Sequence, residues 1–254
     1  MQATTLRIGC VKYLNARPLI RGWKGDVDFD NPAALCRKLA TGELDVALVS
    51  SFEFLRNPIY SIVDGISISS DGPVYSVVVA HRDEIHAIEE IELDPASETS
   101  VNLLRGLLAE LGLNQRLLAG SGATPPDRAR LLIGDQAIRF RQEHPDCRFW
   151  DLGEEWKRLV DLPFVYAVWL IRPEVADKES IARELRARRD ENLTHINQLI
   201  AEQNDFDRDF CRRYYREHLR FNFGEKEKEG LRAFQRLCEK HGLLPKHELE
   251  FKLV

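Results

Sequence analysis

Two patterns meet in the stretch Ser67-Ile-Ser-Ser-Asp-Gly-Pro-Val-Tyr-Ser-Val-Val-Val79, where a polar turn gives way to a β-branched run. Asp71, Gly72 and Pro73 predict the turn because each residue type favours turns. The run 74–80 predicts a buried strand, which puts the Ser76 hydroxyl just inside a core element. A strand that begins polar and becomes apolar is expected where a chain crosses a ligand cleft. An ordinary turn before a core strand explains the same residues, so this stretch alone leaves both interpretations open.

A second apolar run predicts how the chain is divided. Leu162-Pro-Phe-Val-Tyr-Ala-Val-Trp-Leu-Ile171 has no charged residue after Leu162 and is typical of a buried strand. Together with residues 74–80 it brackets a segment that alternates strands and helices like a complete smaller α/β unit. We therefore predict two lobes, residues 1–76 with 170–254 and residues 77–169, and we expect the two apolar runs to be the crossovers. After Pro173 apolar residues recur at helical spacing, which predicts a helical C-terminal segment.

Composition and charge narrow the class of protein. The 254 residues are 44% hydrophobic and 30% charged, which is typical of a soluble globular chain with a substantial core. A net charge of −5 gives no support to nucleic acid or an acidic membrane as a partner. The five cysteines are widely spaced and include no Cys-x-x-Cys pair, which favours a reducing compartment. Because Met1 to Arg7 leads directly into a predicted strand and no stretch is apolar enough to span a membrane, we expect a cytoplasmic protein.

Polar residues recur where predicted strands end, the edge at which open α/β sheets bind ligands. Asn15 follows the strand predicted over Leu6–Tyr13, although Asn is also a common turn or capping residue. Ser50 and Glu53 have capping-box spacing, and Ser51 lies beside the same helix N-terminus, where free backbone N–H groups can hold a carboxylate or phosphate. Simple capping remains the alternative for both serines.

Two further positions repeat this pattern. Ser97, Thr99 and Ser100 precede a leucine-rich helix, and three hydroxyls are more than one cap needs, so we interpret the loop as a second anion-binding terminus, with capping as the alternative. Gly134 and Asp135 stand where another strand hands over to a helix, and we expect Gly134 to let a ligand approach the backbone closely.

The common catalytic motifs are missing from the sequence. None of the seven histidines has metal-ligand spacing, so no metal is expected. There is no P-loop, no dinucleotide fingerprint and no Gly-x-Ser-x-Gly elbow. What remains is a cleft with amides, hydroxyls and helix ends, which predicts a site for a small anion. If the protein is an enzyme, it works by orientation and hydrogen bonding rather than by a strong side-chain base.

Seven motifs occur in order from the N-terminus to about Trp169. They are Arg7–Leu19, Asp45–Leu55, Ser70–Val77, Glu98–Val101, Leu132–Asp135, Asp151–Trp156 and Leu162–Trp169. Each motif alone is weak, but taken together they resemble the chorismate dehydratases of the futalosine route to menaquinone.

The resemblance implies both a fold and a reaction. The fold is α/β, type II periplasmic-binding-protein-like, with two lobes around a cleft and no metal or cofactor. The reaction removes water from chorismate to give 3-[(1-carboxyvinyl)oxy]benzoate. The family's proposed catalytic pair falls on Asn15 and Ser76. As further substrate-binding candidates we name Arg17, Ser51, Asp71, Gly72, Thr99, Ser100, Gly134 and Asp135.

Two other functions fit a protein of this fold. One is a non-catalytic small-anion binding protein, which usually carries an export signal or a DNA-binding segment. The other is the paralogous enzyme that acts later in menaquinone synthesis on a larger substrate. Incubation with chorismate distinguishes all three.

Overall fold

The computed structural model describes residues 6–120 and 128–254, and within them the strands form two five-stranded sheets. Residues 1–5, from which we expected a direct entry into the first strand, lie outside the described residues. The first sheet contains β1 Ile8–Cys10, β2 Val27–Phe29, β3 Val46–Ser50, β4 Ser61–Ser70 and β10 Phe164–Ile171. The second contains β5 Val77–His81, β6 Glu90–Leu93, β7 Arg116–Ala119, β8 Ala129–Ile133 and β9 Arg148–Asp151.

The two sheets have the same design. Their orders are β2-β1-β3-β10-β4 and β7-β6-β8-β5-β9. The first sheet pairs β1 in parallel with β2 and β3, and β10 runs antiparallel between β3 and β4. The second pairs β6 in parallel with β7 and β8, and β5 runs antiparallel between β8 and β9. In each sheet the antiparallel strand is therefore the one that arrives from the other lobe.

Helices cover both sheets and form most of the C-terminal segment. They are α1 Arg17–Ile20, α2 Pro32–Thr41, α3 Ser51–Arg56, α4 Glu98–Glu110, α5 Gly134–Glu143, α6 Leu152–Val160, α7 Lys178–Thr194, α8 Ile196–Glu202, α9 Arg208–Arg213 and α10 Glu225–Lys240. Short 3₁₀ turns occupy Leu14–Ala16 and Ile85–Ala87, and a π-helical turn, Tyr214–His218, follows α9. The predicted helical tail is thus present, but residues 245–254 are not helical, and Leu253 forms a bridge to Ile62 of β4. No described helix is long and apolar enough to cross a bilayer.

The strand pairing corrects one predicted lobe boundary. β5 lies in the second sheet, as expected from a boundary between residues 76 and 77. All of β10 lies in the first sheet, so residues 164–169 do not belong with the second lobe as we predicted. An apolar run shows that a strand is buried, but it does not show which sheet the strand joins. The chain returns from the second sheet to the first between β9 and β10, before Phe164.

The chain passes from the first sheet to the second between β4 and β5, which we call the outward crossover. The strand after it, β5, begins later than the sequence predicts. β5 begins at Val77, not at Val74, so Ser76 lies immediately before the strand. Tyr75 has a φ of +69°, which a strand cannot accommodate. The side chain of Asp151 accepts the backbone N–H groups of Val74 and Tyr75, at 3.0 and 2.7 Å, which removes them from any sheet ladder.

An aromatic cluster joins the lobes behind this crossover. Trp156 of α6, Phe164 of β10 and Phe234 of α10 are almost completely buried, and their ring centroids lie 4.9 to 6.1 Å apart in edge-on pairs. Burial of each such ring contributes about 1.5–3 kcal/mol to stability. The cluster therefore packs α6, which follows β9 of the second sheet, against β10 of the first sheet and against α10.

Candidate active site

Two adjoining cavities lie where the strands of both sheets end. The inner cavity has a volume of about 60 Å³, and the outer cavity about 300 Å³. Val11 and Tyr13 line both cavities, so the two are neighbours along one cleft. The polar side chains around the inner cavity are Tyr13, Asn15, Ser50, Ser76, Ser97, Ser100 and Tyr166.

Ser76 lines the inner cavity, and it has a partner that sequence reasoning missed. The Tyr214 hydroxyl donates a hydrogen bond to Ser76 Oγ at 2.6 Å, and neither side chain is exposed to solvent. Burial raises the pKa of Tyr214, and its hydrogen bonds with Ser76 and Asn15 lower it by less. The phenol is therefore protonated at neutral pH and always a donor. Because Ser76 Oγ accepts this bond, its own hydrogen is available to a molecule in the cavity.

Asn15 lines the same cavity from the first lobe. It lies in the Leu14–Ala16 turn, which is held from both sides: Leu14 N donates to Asp135 Oδ1 at 2.8 Å, and the Tyr215 hydroxyl donates to Leu14 O at 2.8 Å. Asn15 Oδ1 is buried and has no hydrogen-bond partner among the described residues. A buried acceptor without a partner is uncommon in native proteins and calls for a ligand donor.

Ser50 does not cap α3 as its spacing predicted, and Ser51 is the first residue of that helix. The Ser50 side chain makes no capping bond to α3, and its hydroxyl is in close contact with Thr99 Oγ1 instead. Thr99 Oγ1 also accepts the N–H of Phe52 at 3.0 Å, so Thr99 links the two lobes. Ser51 Oγ donates to the carbonyl of Val165 at 2.7 Å. The hydroxyls of Ser51 and Thr99 are therefore committed to protein partners, and neither lines a described cavity.

Ser97 and Ser100 are the hydroxyls of α4 that reach the inner cavity. Ser97 caps α4 by accepting Ser100 N at 3.3 Å, and its hydroxyl donates to Ser100 Oγ at 2.9 Å. The hydrogen of the Ser100 hydroxyl is thus left for a ligand. Ser100, a predicted substrate-binding residue, thus lines the inner cavity together with Ser97, which we treated only as part of the loop.

Gly134 lines the inner cavity, but its lack of a side chain makes room for the ring of Tyr13. Its φ of +56° favours glycine. A Cβ atom there would lie 2.9 Å from the ring of Tyr13. The space that we expected a ligand to use is occupied by Tyr13.

Arg17 and Asp135 line the outer cavity, not the inner one. Arg17 is half-buried and lies 4.0 Å from Asp205, a distance at which the guanidinium stays available to another anion. Burial raises the pKa of Asp135, and the hydrogen bond from Leu14 opposes this shift. Asp135 therefore supports the turn that carries Asn15.

Asp71 and Gly72, which we predicted to bind substrate, line neither of the two cavities described above. Asp71 pairs with Lys157 at 2.8 Å, and the Gly72 carbonyl accepts the hydroxyl of Ser70 at 3.0 Å. These contacts fix the turn before the crossover, and the proximity of both residues to Ser76 in the sequence was misleading.

The inner cavity has no strong acid or base in its described lining. It contains no Asp, Glu, His, Lys or Arg, and its ionisable groups are the phenols of Tyr13 and Tyr166. Burial raises the pKa of Tyr13 to about 12 and raises that of Tyr166 well above its usual value. The cavity can therefore orient and hydrogen-bond a molecule, but at neutral pH its own side chains offer no charged base.

Comparisons with known proteins agree on both family and fold. A family model described as menaquinone biosynthesis matches residues 6–240. A chorismate dehydratase of Thermus thermophilus is 30% identical over 253 residues, covering 89% of this chain and 93% of the relative. A structure from Archaeoglobus fulgidus has a TM-score of 0.73 at 19% identity, covering 94% of this chain and 98% of its own.

The fold is periplasmic-binding-protein-like, with two α/β lobes, as predicted. The periplasmic aliphatic sulphonate binding protein of Escherichia coli matches with a TM-score of 0.61 at 14% identity, covering 97% of this chain and 95% of its own.

Proposed function

This chain belongs to the menaquinone biosynthesis family, and we propose that it is a chorismate dehydratase. It eliminates water from chorismate to give 3-[(1-carboxyvinyl)oxy]benzoate on the futalosine route, which makes it a carbon–oxygen lyase. The observation that carries the mechanism is that Asn15 and Ser76 face one inner cavity with no charged side chain in its described lining.

The reaction breaks two bonds on neighbouring ring carbons. The C–O bond to the ring hydroxyl breaks, and so does the C–H bond on the carbon that carries the enolpyruvyl ether. The electron pair of that C–H bond becomes the third ring double bond, and the proton and hydroxide leave as water. Because the product ring is aromatic, the reaction is strongly downhill and needs chiefly alignment of the two breaking bonds.

Ser76 and Asn15 supply this alignment. Tyr214 occupies the acceptor side of Ser76 Oγ, so Ser76 donates its hydrogen to the departing hydroxyl. The unpartnered Asn15 Oδ1 accepts the hydrogen of the same hydroxyl. Two contacts on one oxygen fix the direction of the C–O bond, and the donor also stabilises the charge that develops as that bond breaks.

The base is the substrate's own enolpyruvyl carboxylate. It belongs to the enolpyruvyl ether carried by the carbon that loses the proton, and the described lining of the inner cavity offers no carboxylate or imidazole in its place. Arg17, in the outer cavity, pairs with a carboxylate of the substrate, and Ser97 with Ser100 holds the other at the N-terminus of α4. No cofactor takes part.

Substrate enters through an open form of the protein. Pockets for ligands of this size have volumes of about 300–1,000 Å³, so an inner cavity of about 60 Å³ is too small to admit the ring. The lobes must separate, which breaks the contacts of Leu14 with Asp135 and of Ser50 with Thr99. The five cysteines are buried and unpaired, which supports a cytoplasmic enzyme.

Alanine variants of Asn15 and Ser76 test this mechanism. We expect Ser76→Ala and Asn15→Ala each to lower chorismate turnover by 10-fold or more, at about 1.4 kcal/mol per factor of ten. Ser67→Ala is the matched control, because Ser67 of β4 is also fully buried but donates to the carbonyl of Asn222 and does not line the inner cavity. Unchanged turnover in both site variants would remove the mechanism.

A further inference from the structure

The Asp151–Trp156 motif begins with a buried carboxylate whose role the proposed chemistry does not explain. Asp151 has 4% of its surface exposed and ends β9. It caps α6 by accepting the N–H groups of Gly153 and Glu154 on Oδ1, at 3.0 and 3.2 Å. An ordinary cap needs no more than this.

The same carboxylate reaches across to the outward crossover. Oδ1 also accepts Val74 N at 3.0 Å, and Oδ2 accepts Tyr75 N at 2.7 Å. Asp151 and Tyr75 are 76 positions apart in the chain. One oxygen therefore serves α6 and Val74, whereas the other hydrogen-bonds the backbone of Tyr75 alone.

Tyr75 requires this support because of its backbone conformation. Its φ of +69° is rare for a large side chain and persists only where the surroundings enforce it. Arg141 provides a second restraint: its guanidinium lies 4.2 Å from the centre of the Tyr75 ring and 3.7 Å from Asp151 Oδ2. The next residue is Ser76, so the conformation of Tyr75 sets the direction in which the Ser76 side chain leaves the backbone.

We propose that Asp151 is a positioning residue that acts through Ser76. By holding the N–H of Tyr75 it keeps that residue at positive φ and aims Ser76 Oγ at the cavity and at Tyr214. This inference rests on the proposed function for its kinetic test, and it has a structural test that does not.

Asp151→Asn separates the two duties of the carboxylate. The amide keeps an oxygen for α6 and Val74 but turns an NH₂ group towards the N–H of Tyr75. We expect kcat to fall about 10- to 100-fold, the effect of a misplacement near 1 Å, and KM to change less than threefold. Asp177→Asn is the matched control, because Asp177 caps α7 through Ser180 N without reaching the crossover, and its kcat should equal that of the wild type.

The decisive comparison repeats the substitution in a Ser76→Ala background. A residue that acts through Ser76 has nothing left to position there, so Asp151→Asn should not lower the residual kcat further. An equal fall in both backgrounds would mean that Asp151 only supports the fold. Asp151→Ser, which still caps α6 but cannot reach Tyr75, replaces Asp151→Asn if the latter does not fold.

A crystal structure of the variant gives a result independent of turnover. We expect Tyr75 to leave positive φ and Ser76 Oγ to lose its contact with Tyr214. If both stay as they are in the wild type, the inference is wrong even where the proposed function holds. If the wild type leaves chorismate unchanged but the crossover rearranges, the proposed function fails and the positioning role stands.

Discussion

Tyr214→Phe removes the hydroxyl that fixes the donor direction of Ser76. In the wild type this hydroxyl donates to Ser76 Oγ at 2.6 Å within a fully buried pair. A buried neutral hydrogen bond contributes about 0.5–1.5 kcal/mol, and an unsatisfied partner adds a cost of about 1–3 kcal/mol. If about 1–2 kcal/mol of this is lost from the transition state, kcat falls by roughly 5- to 30-fold. We expect KM to change little, because the ring and both carboxylates keep their contacts.

The assay is steady-state formation of the aromatic product at saturating chorismate, with thermal unfolding measured on the same samples. Tyr60→Phe is the matched control, since Tyr60 is equally buried and its hydroxyl contacts only Asn57, at 3.5 Å, among the described residues. Each kcal/mol of lost stability lowers Tm by about 2–4 °C in a chain of this size, so both variants should remain folded at the assay temperature. If Tyr214→Phe keeps the wild-type kcat while Ser76→Ala loses it, the argument that Tyr214 directs Ser76 is wrong.

Three further substitutions test other parts of the cleft. Arg17→Gln removes one of the three cationic side chains that line the outer cavity, the others being Lys12 and Arg21. It should raise KM about 10-fold with little change in kcat, as measured by steady-state kinetics. Gly134→Ala places a Cβ 2.9 Å from Tyr13 at a φ of +56°, and it should lower the free energy of unfolding, measured by urea titration, by about 1–3 kcal/mol. Gly112→Ala is the control, because Gly112 has a φ of +65° but open space around it, and its free energy of unfolding should fall by less. Asp135→Asn should stabilise the protein relative to the wild type as pH rises above 3.8, the ordinary pKa of the Asp side chain. Burial raises the pKa of Asp135 in the folded state, so its ionisation opposes folding. Measurement of Tm for both proteins from pH 4 to 7 checks this.

The sequence predicts the elements that local pattern determines. The apolar run 162–171 contains β10, which begins at Phe164 after Pro163, because successive apolar side chains are stable inside a sheet covered on both faces. Asn31 caps α2 through Ala34 N, and Gly42 ends that helix at a φ of +80°, as their residue types predict. The same logic drew attention to Ser76, a hydroxyl beside a core strand, but its catalytic role came from the family resemblance and stays a prediction.

Local sequence patterns could not predict hydrogen bonds between residues that are far apart in the chain. Tyr214 contacts Ser76 across 138 positions, and its place in the helical tail gave it the appearance of a core residue. Ser50 has the spacing of a cap, but Thr99, 49 positions away, binds its hydroxyl instead. Asp71 seemed to belong to the site because it is close to Ser76 in the sequence, yet Lys157 holds it outside the cavities described above.

Incubation of the wild-type chain with chorismate, followed by proton NMR, tests the central claim most directly. We predict that the ring protons of chorismate are replaced by those of a 1,3-disubstituted benzene ring that retains the enolpyruvyl vinyl protons, with no cofactor added and faster than with heat-denatured protein. Retention of the vinyl group shows that water has left the ring and pyruvate has not. Chorismate that decays only at the rate seen with the denatured sample, or an aromatic product without the vinyl group, would contradict the account.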